Sequence, residues 1–172
     1  MSTAPRPEAS ADGVVVVRAT AQEWRTVREV RLRALGTNPD AFGSTLAREQ
    51  VLDDEFWRDR AAAGRTFLAG AGGPVVGIAS YYAEQGRDHE RQLVSMWVTP
   101  QGRRAGVGAM LVDAVQNAAL DEGATALTLF LAQGNEGARR FYESLGFRAT
   151  GERANLGNGP AADAERFVLA LG

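Results

Sequence analysis

The chain of 172 residues contains no cysteine. That absence excludes disulfides, thiolate metal sites and a cysteine nucleophile together. Lysine is absent too, so all 19 basic residues are arginine, and the protein has no side-chain ε-amine. With so much alanine and glycine, this reads as genomic composition bias. No apolar run approaches the length of a membrane span, and Met1-Ser2-Thr3-Ala4-Pro5-Arg6-Pro7 lacks the apolar centre of a signal peptide. A cytoplasmic location is expected, with no membrane partner. A net charge of −2 exerts no general pull on nucleic acid or acidic membranes. The expected partner is small or locally recognised.

The length suits one domain with a sizeable core. Residues 1–12 are rich in Pro, Ala and Ser without an apolar period and are expected to form a disordered tail ahead of a single domain, 13–172. The chain is organised around Leu93 to Ala118: an apolar strand, a turn rich in glycine and arginine, then an amphipathic helix. The first N–H groups of a helix lack intrahelical partners and the dipole's positive end points outward, so such a junction welcomes an anion. Gly106 and Gly108 let the main chain come close to an oxyanion or take a positive φ. Arg103 and Arg104 add charge. A Walker loop would need lysine and then Ser or Thr after the glycines, where Ala109 and Met110 stand, and a dinucleotide fingerprint would need a third glycine where Leu111 stands.

Arg103-Arg104-Ala105-Gly106-Val107-Gly108, preceded by a strand ending in Val-x-Pro, resembles the Arg/Gln-x-x-Gly-x-Gly/Ala loop of the GNAT superfamily of acyl-CoA-dependent N-acyltransferases. The segment from Asn135 to Phe147, reading NEGARRFYESLGF, is similar to that family's second signature. Two motifs in the right order are far more specific than either alone.

The remaining elements agree with that order. Val14–Val17 reads as a strand, and Thr20 offers a cap for a helix to about Leu35. Arg25, Arg28, Arg31 and Arg33 on this helix read as a solvated face. After a turn-rich loop from Gly36 to Ser44, a second helix is expected over Leu46–Ala62, with Asp53, Asp54, Glu55 and Asp59 favouring a helix start and solvent. Strands are expected at 65–71, 75–84 and 91–99, a helix to Asp121, a strand at 125–131, a helix through Tyr142, and strands at 147–152 and 165–171 around a Gly/Asn/Pro loop. The order β-α-α-β-β-β-α-β-α-β-β is an α/β fold with a mixed sheet of about seven strands. It matches the GNAT order.

The resemblance implies a reaction and assigns residues to it. Acetyl-CoA would be the acyl donor, with no metal. Its pyrophosphate would be held by backbone amides across Arg103, Arg104, Ala105, Gly106, Val107, Gly108 and Ala109. The family parts its fourth and fifth strands, and main-chain groups at Met96 and Val98, flanking Trp97, would pair with pantetheine and polarise the acyl carbonyl. Asn135 would touch the cofactor arm, and also reads as a helix cap. Tyr142 would protonate the departing thiolate, though it also reads as a core tyrosine. Some members carry a glutamate on the fourth strand where this chain has Gln92. Glu90, two residues away, or Glu84 could act through water instead, or the amine could arrive neutral. His89 tempts as a base, but reads as an exposed turn residue. The expected activity is direct acetyl transfer to a primary amine of a small molecule. A protein N-terminus as acceptor, or an acyl-CoA-binding module without catalysis, are the alternatives. The family habit implies a homodimer.

Overall fold

The structure, a computed structural model, describes residues 13–157 and 163–172. The expected tail at 1–12 and residues 158–162 of the final loop lie outside the described residues. β1 (Val15–Arg18) leads through a 3-10 turn into α1 (Trp24–Thr37), and Thr20 caps that turn with Glu23 in a reciprocal capping box. Two short helices follow, α2 (Leu46–Glu49) and α3 (Asp54–Ala62). The single helix expected over 46–62 is therefore broken. Asp53 accepts from the Phe56 amide at 2.9 Å and starts a new helix there.

Three strands come next, β2 (Thr66–Gly70), β3 (Gly77–Tyr82) and β4 (Glu90–Val98). A short α4 (Pro100–Arg104) occupies what reads in sequence as a plain turn, and α5 (Val107–Asp121) follows. β5 (Ala126–Ala132), α6 (Glu136–Ser144), β6 (Arg148–Asn155) and β7 (Asp163–Ala170) complete the described chain. The fold is the expected α/β one, and its seven strands lie in the order β1-β2-β3-β4-β5-β7-β6. Among the described residues only β4 and β5 run parallel, and the other strand pairs are antiparallel.

Alternation sends neighbouring side chains to opposite faces of the sheet. Phe67, Ala79 and Leu93 join Val107, Leu111 and Val115 of α5 in one core, while Leu68, Ile78 and Trp97 join Val27, Val30 and Trp57 in the other. Of the α1 arginines read in the sequence as a solvated face, Arg25 is exposed, but Arg31 and Arg33 depart from that reading. Arg31 is only 6% exposed, because it shares a stripe with Val27, Val30 and Ala34 and meets Glu49 of α2 through hydrogen bonds of 2.9 and 2.7 Å. Arg33 lies over the Trp97 ring at 5.2 Å. A buried charge persists when it is paired, and here the partner came from a separate helix.

Candidate functional site

β4 and β5 pair only at Glu90↔Ala126, Arg91↔Leu127 and Gln92↔Thr128. Beyond that point the strands part, although β4 runs on to Val98 and β5 to Ala132. The edge of β4 facing β5 is thus left without a ladder over its second half. A cleft of about 670 Å³ opens there. Met96, Trp97 and Val98 form one wall, and Asn135, Ala138, Phe141 and Tyr142 of the α6 segment form the other. Arg103, Gly106, Gly108 and Ala109 close one end.

The local geometry of that end follows from two glycines. Thr99 accepts from the Gly102 amide at 3.2 Å and caps α4, and the Arg103 and Ala105 amides bond back to Thr99 and Gly102 carbonyls at 3.0 and 3.1 Å. Gly106, at φ 74°, turns the chain from α4 into α5, a conformation that suits a residue without Cβ. The first bond of α5 runs from the Met110 amide to the Gly106 carbonyl at 3.3 Å, so the amides of Val107, Gly108 and Ala109 lead the helix. Gly108 is needed for space. A Cβ there would lie 3.0 Å from Phe141 Cζ.

The cleft brings together nine of the twelve residues assigned to cofactor binding: Met96, Trp97, Val98, Arg103, Gly106, Gly108, Ala109, Asn135 and Tyr142. Val107 is fully buried and Ala105 packs on the same core, so these two offer backbone alone. Arg104 ends α4. Arg103 Nε donates to the Val98 carbonyl at 3.1 Å, which ties the arginine to the end of β4. Asn135 caps α6 by accepting from the Ala138 amide at 3.2 Å, and its side-chain NH₂ remains a donor at the cleft.

A model of the acetyltransferase (GNAT) family matches residues 24–147. The chain belongs to the GNAT acetyltransferase family. As a member it is a transferase that uses acetyl-CoA as its acyl donor. Its fold is shared with solved structures at low identity. A GNAT acetyltransferase of Streptococcus pneumoniae is 20% identical with a TM-score of 0.75, over 92% of this chain and 99% of that one. A Salmonella typhimurium protein, solved with its cofactor acetyl-CoA, is 19% identical with a TM-score of 0.72, over 92% of this chain and 94% of that one. Diaminobutyrate acetyltransferase from Paenibacillus lautus, solved with L-2,4-diaminobutyric acid and coenzyme A, is 16% identical with a TM-score of 0.69, over 91% and 94%. No curated protein matches the chain.

In this GNAT chain the carboxylates read from sequence stand outside the cleft. Glu90 pairs with Arg166 at 2.5 Å and faces Arg87 at 3.5 Å, and Glu84 pairs with Arg87 at 3.2 Å. Gln92 accepts from the Tyr82 hydroxyl at 3.0 Å, and His89 is exposed. Among the described residues lining the cleft there is no Asp, Glu or His. Tyr142 is 8% exposed, and burial pushes its phenol far above the usual tyrosine range. Among the described residues nothing hydrogen-bonds that hydroxyl, so it is open to the cleft.

Five lining residues were not assigned to the site from sequence: Asn38, Ala41, Gly137, Ala138 and Phe141. Asn38 Oδ1 accepts from Trp97 Nε1 at 2.9 Å and latches the loop after α1 to β4. The turn-rich composition of 36–44 marked the segment, but nothing in it marked that bond. Among the described residues no group of three or more His, Cys, Asp or Glu could hold a metal ion, and no helix is long and apolar enough to cross a membrane.

Proposed function

We propose that the chain transfers the acetyl group of acetyl-CoA directly to the primary amine of a small molecule, in the cytoplasm. The observation that carries this reading is the parting of β4 from β5 beyond Gln92 and Thr128, with Tyr142 across the cleft from Met96–Val98. The cleft fits the donor. A helix start led by free amides, with Arg103 beside it, suits a pyrophosphate, and the bare edge of β4 suits the amides of a pantetheine arm. When bound, acetyl-CoA supplies a thioester whose C–S bond breaks as the amine's C–N bond forms.

The chain's own groups meet the other needs of the step. Backbone N–H groups at Met96 and Val98 stabilise charge on the carbonyl oxygen. Tyr142 holds its proton until the C–S bond breaks and then gives it to the departing sulfur, and the proton that the amine nitrogen releases passes through water to restore the Tyr142 phenol. With no carboxylate or histidine on the cleft wall, the amine enters neutral. That diaminobutyrate acetyltransferase acts on a small amino acid supports a small acceptor here. The test is CoA release against a panel of amino acids, polyamines, aminoglycosides and N-terminal peptides. Release with one small amine supports the reading, release with peptides alone replaces the acceptor, and binding of acetyl-CoA without release on any acceptor replaces the enzyme by a binding module.

A further inference from the structure

Ser95 is the one non-glycine residue with positive φ among the described residues, at 56°. The register explains why. β3 and β4 align at Ile78↔Trp97 and again at Ser80↔Val94, so Ala79 alone faces both Ser95 and Met96. This is a β-bulge with a left-handed first residue, a place that glycine ordinarily takes. A serine there has to be held. Arg60 of α3 reaches across with Nη2 and donates to Ser95 Oγ at 2.9 Å.

The arginine is itself fixed by a buried cluster. Arg31 donates from Nε and Nη2 to the two carboxylate oxygens of Glu49 at 2.9 and 2.7 Å, and Arg60 Nη1 lies 3.6 Å from the same carboxylate. Burial works to raise the Glu49 carboxyl, but the bonds and charges of its partners outweigh that and hold it below the usual range. Two guanidinium groups thus share one carboxylate. Arg60 feels the surplus, since burial and the neighbouring Arg31 charge bring its pKa down to about 10. The Ser95 hydroxyl supplies an oxygen that Glu49 has already committed to Arg31.

We propose that Arg60 is a positioning residue that holds the Ser95 bulge and thereby aims the Met96 and Val98 amides at the thioester carbonyl. The peptide plane between Ser95 and Met96 is rigid, so the backbone angles at Ser95 set where the Met96 N–H points. The role of those amides rests on the acetyltransferase reading above. The hold on the bulge rests on the geometry alone.

Two backgrounds separate positioning from mere packing. Arg60→Gln lowers kcat at least tenfold with the KM for acetyl-CoA changed less than threefold. In the Ser95→Gly background the same change costs less than threefold, because glycine keeps φ near 56° unaided. An equal loss in both backgrounds, or wild-type kcat for Arg60→Gln, overturns the proposal. If Arg60→Gln does not fold, Ser95→Ala replaces it, since this variant removes only the acceptor oxygen and leaves Arg60 in place. Its kcat falls about as far, and an unchanged kcat overturns the proposal.

Calorimetry with acetyl-CoA and with CoA needs no acceptor. Ser95→Ala weakens acetyl-CoA binding about threefold more than CoA binding, because only the former offers a carbonyl to the bulge amides. Equal weakening overturns the proposal. A wild type that shows this preference but transfers to no amine overturns the transfer reading alone. A wild type that transfers, with Ser95→Ala indistinguishable from it, overturns the positioning role alone. A wild type that binds neither ligand overturns both.

Discussion

The two ends of β4 belong to one strand and differ in almost every respect. At its start the strand is paired on both sides, Gln92 to Tyr82 on β3 and to Thr128 on β5, and its carboxylate is neutralised by Arg166. At its end it is paired on β3 alone, is bulged at Ser95, and offers a cleft its backbone rather than charge. Charge sits where the sheet must be closed, and bare backbone sits where a ligand can be received. On the proposed function, the chemistry of the chain belongs to the end with the fewer ionisable groups.

The largest effect that sharpens this contrast comes from Tyr142. Tyr142→Phe keeps the ring that packs 5.5 Å from Phe147 and removes only the hydroxyl. Turnover is expected to fall about a hundredfold, the scale of a lost general acid, with the dissociation constant of acetyl-CoA within about threefold of wild type. Steady-state CoA release and calorimetry measure the two. Unchanged turnover removes the proton donor from the cleft end, and the contrast with it.

A smaller effect comes from the cleft's packing. In Gly108→Ala the new Cβ would meet Phe141 Cζ at 3.0 Å and Met96 Cε at 3.4 Å. Overpacking of this kind costs about 1.5 kcal/mol, and where the displaced ring narrows the cleft the loss appears as roughly tenfold weaker CoA binding. A wild-type dissociation constant would mean that the Gly108 wall does not bound the ligand.

What was legible in the sequence divides along the same line. Strand and helix order could be read because each core face is written in apolar periods, such as Leu111, Val115 and Ala118 on α5. The turn into α5 could be read because Gly106 marks a positive φ and Gly108 a place where Cβ is crowded out. The bulge could not be read, since Ser95 carries none of glycine's signal and the arginine that bonds its hydroxyl, Arg60, is 35 positions away. Nor could the burial of Arg31, whose partner Glu49 ends a helix that residues 50–53 separate from the next, which Asp53 caps. The parting of β4 and β5 is a property of two backbones, and came from family resemblance rather than from any side chain.

The pH profile probes the same contrast. A cleft without carboxylate or histidine has no base to titrate between pH 5 and 8, and Tyr142 stays protonated throughout. An alkylamine titrates near 10.4. With such an acceptor, kcat/KM is expected to rise about tenfold per pH unit from about pH 6 to about pH 9. A plateau that begins near neutrality, with an apparent pKa independent of the acceptor, would reveal an enzyme base and blur the two ends of the strand.

The smallest effects are expected at the charged end. Glu90→Gln removes a charge from Arg166 but leaves it an acceptor oxygen and a second carboxylate, Glu152, at 3.7 Å. A stability loss of about 1 kcal/mol is expected, read as a shift in denaturant midpoint. Turnover is expected to stay within about twofold of wild type, and likewise for Glu84→Gln, whose partner Arg87 is a surface residue shared with Glu90 and Glu152. The reason is distance. At about 3.3 Å per residue, Met96 lies roughly 20 Å along the strand from Glu90, beyond the reach of one bridging water. A hundredfold fall in turnover with an unshifted midpoint would make Glu90 a base acting through a water chain, and the charged end of β4 would then be part of the site.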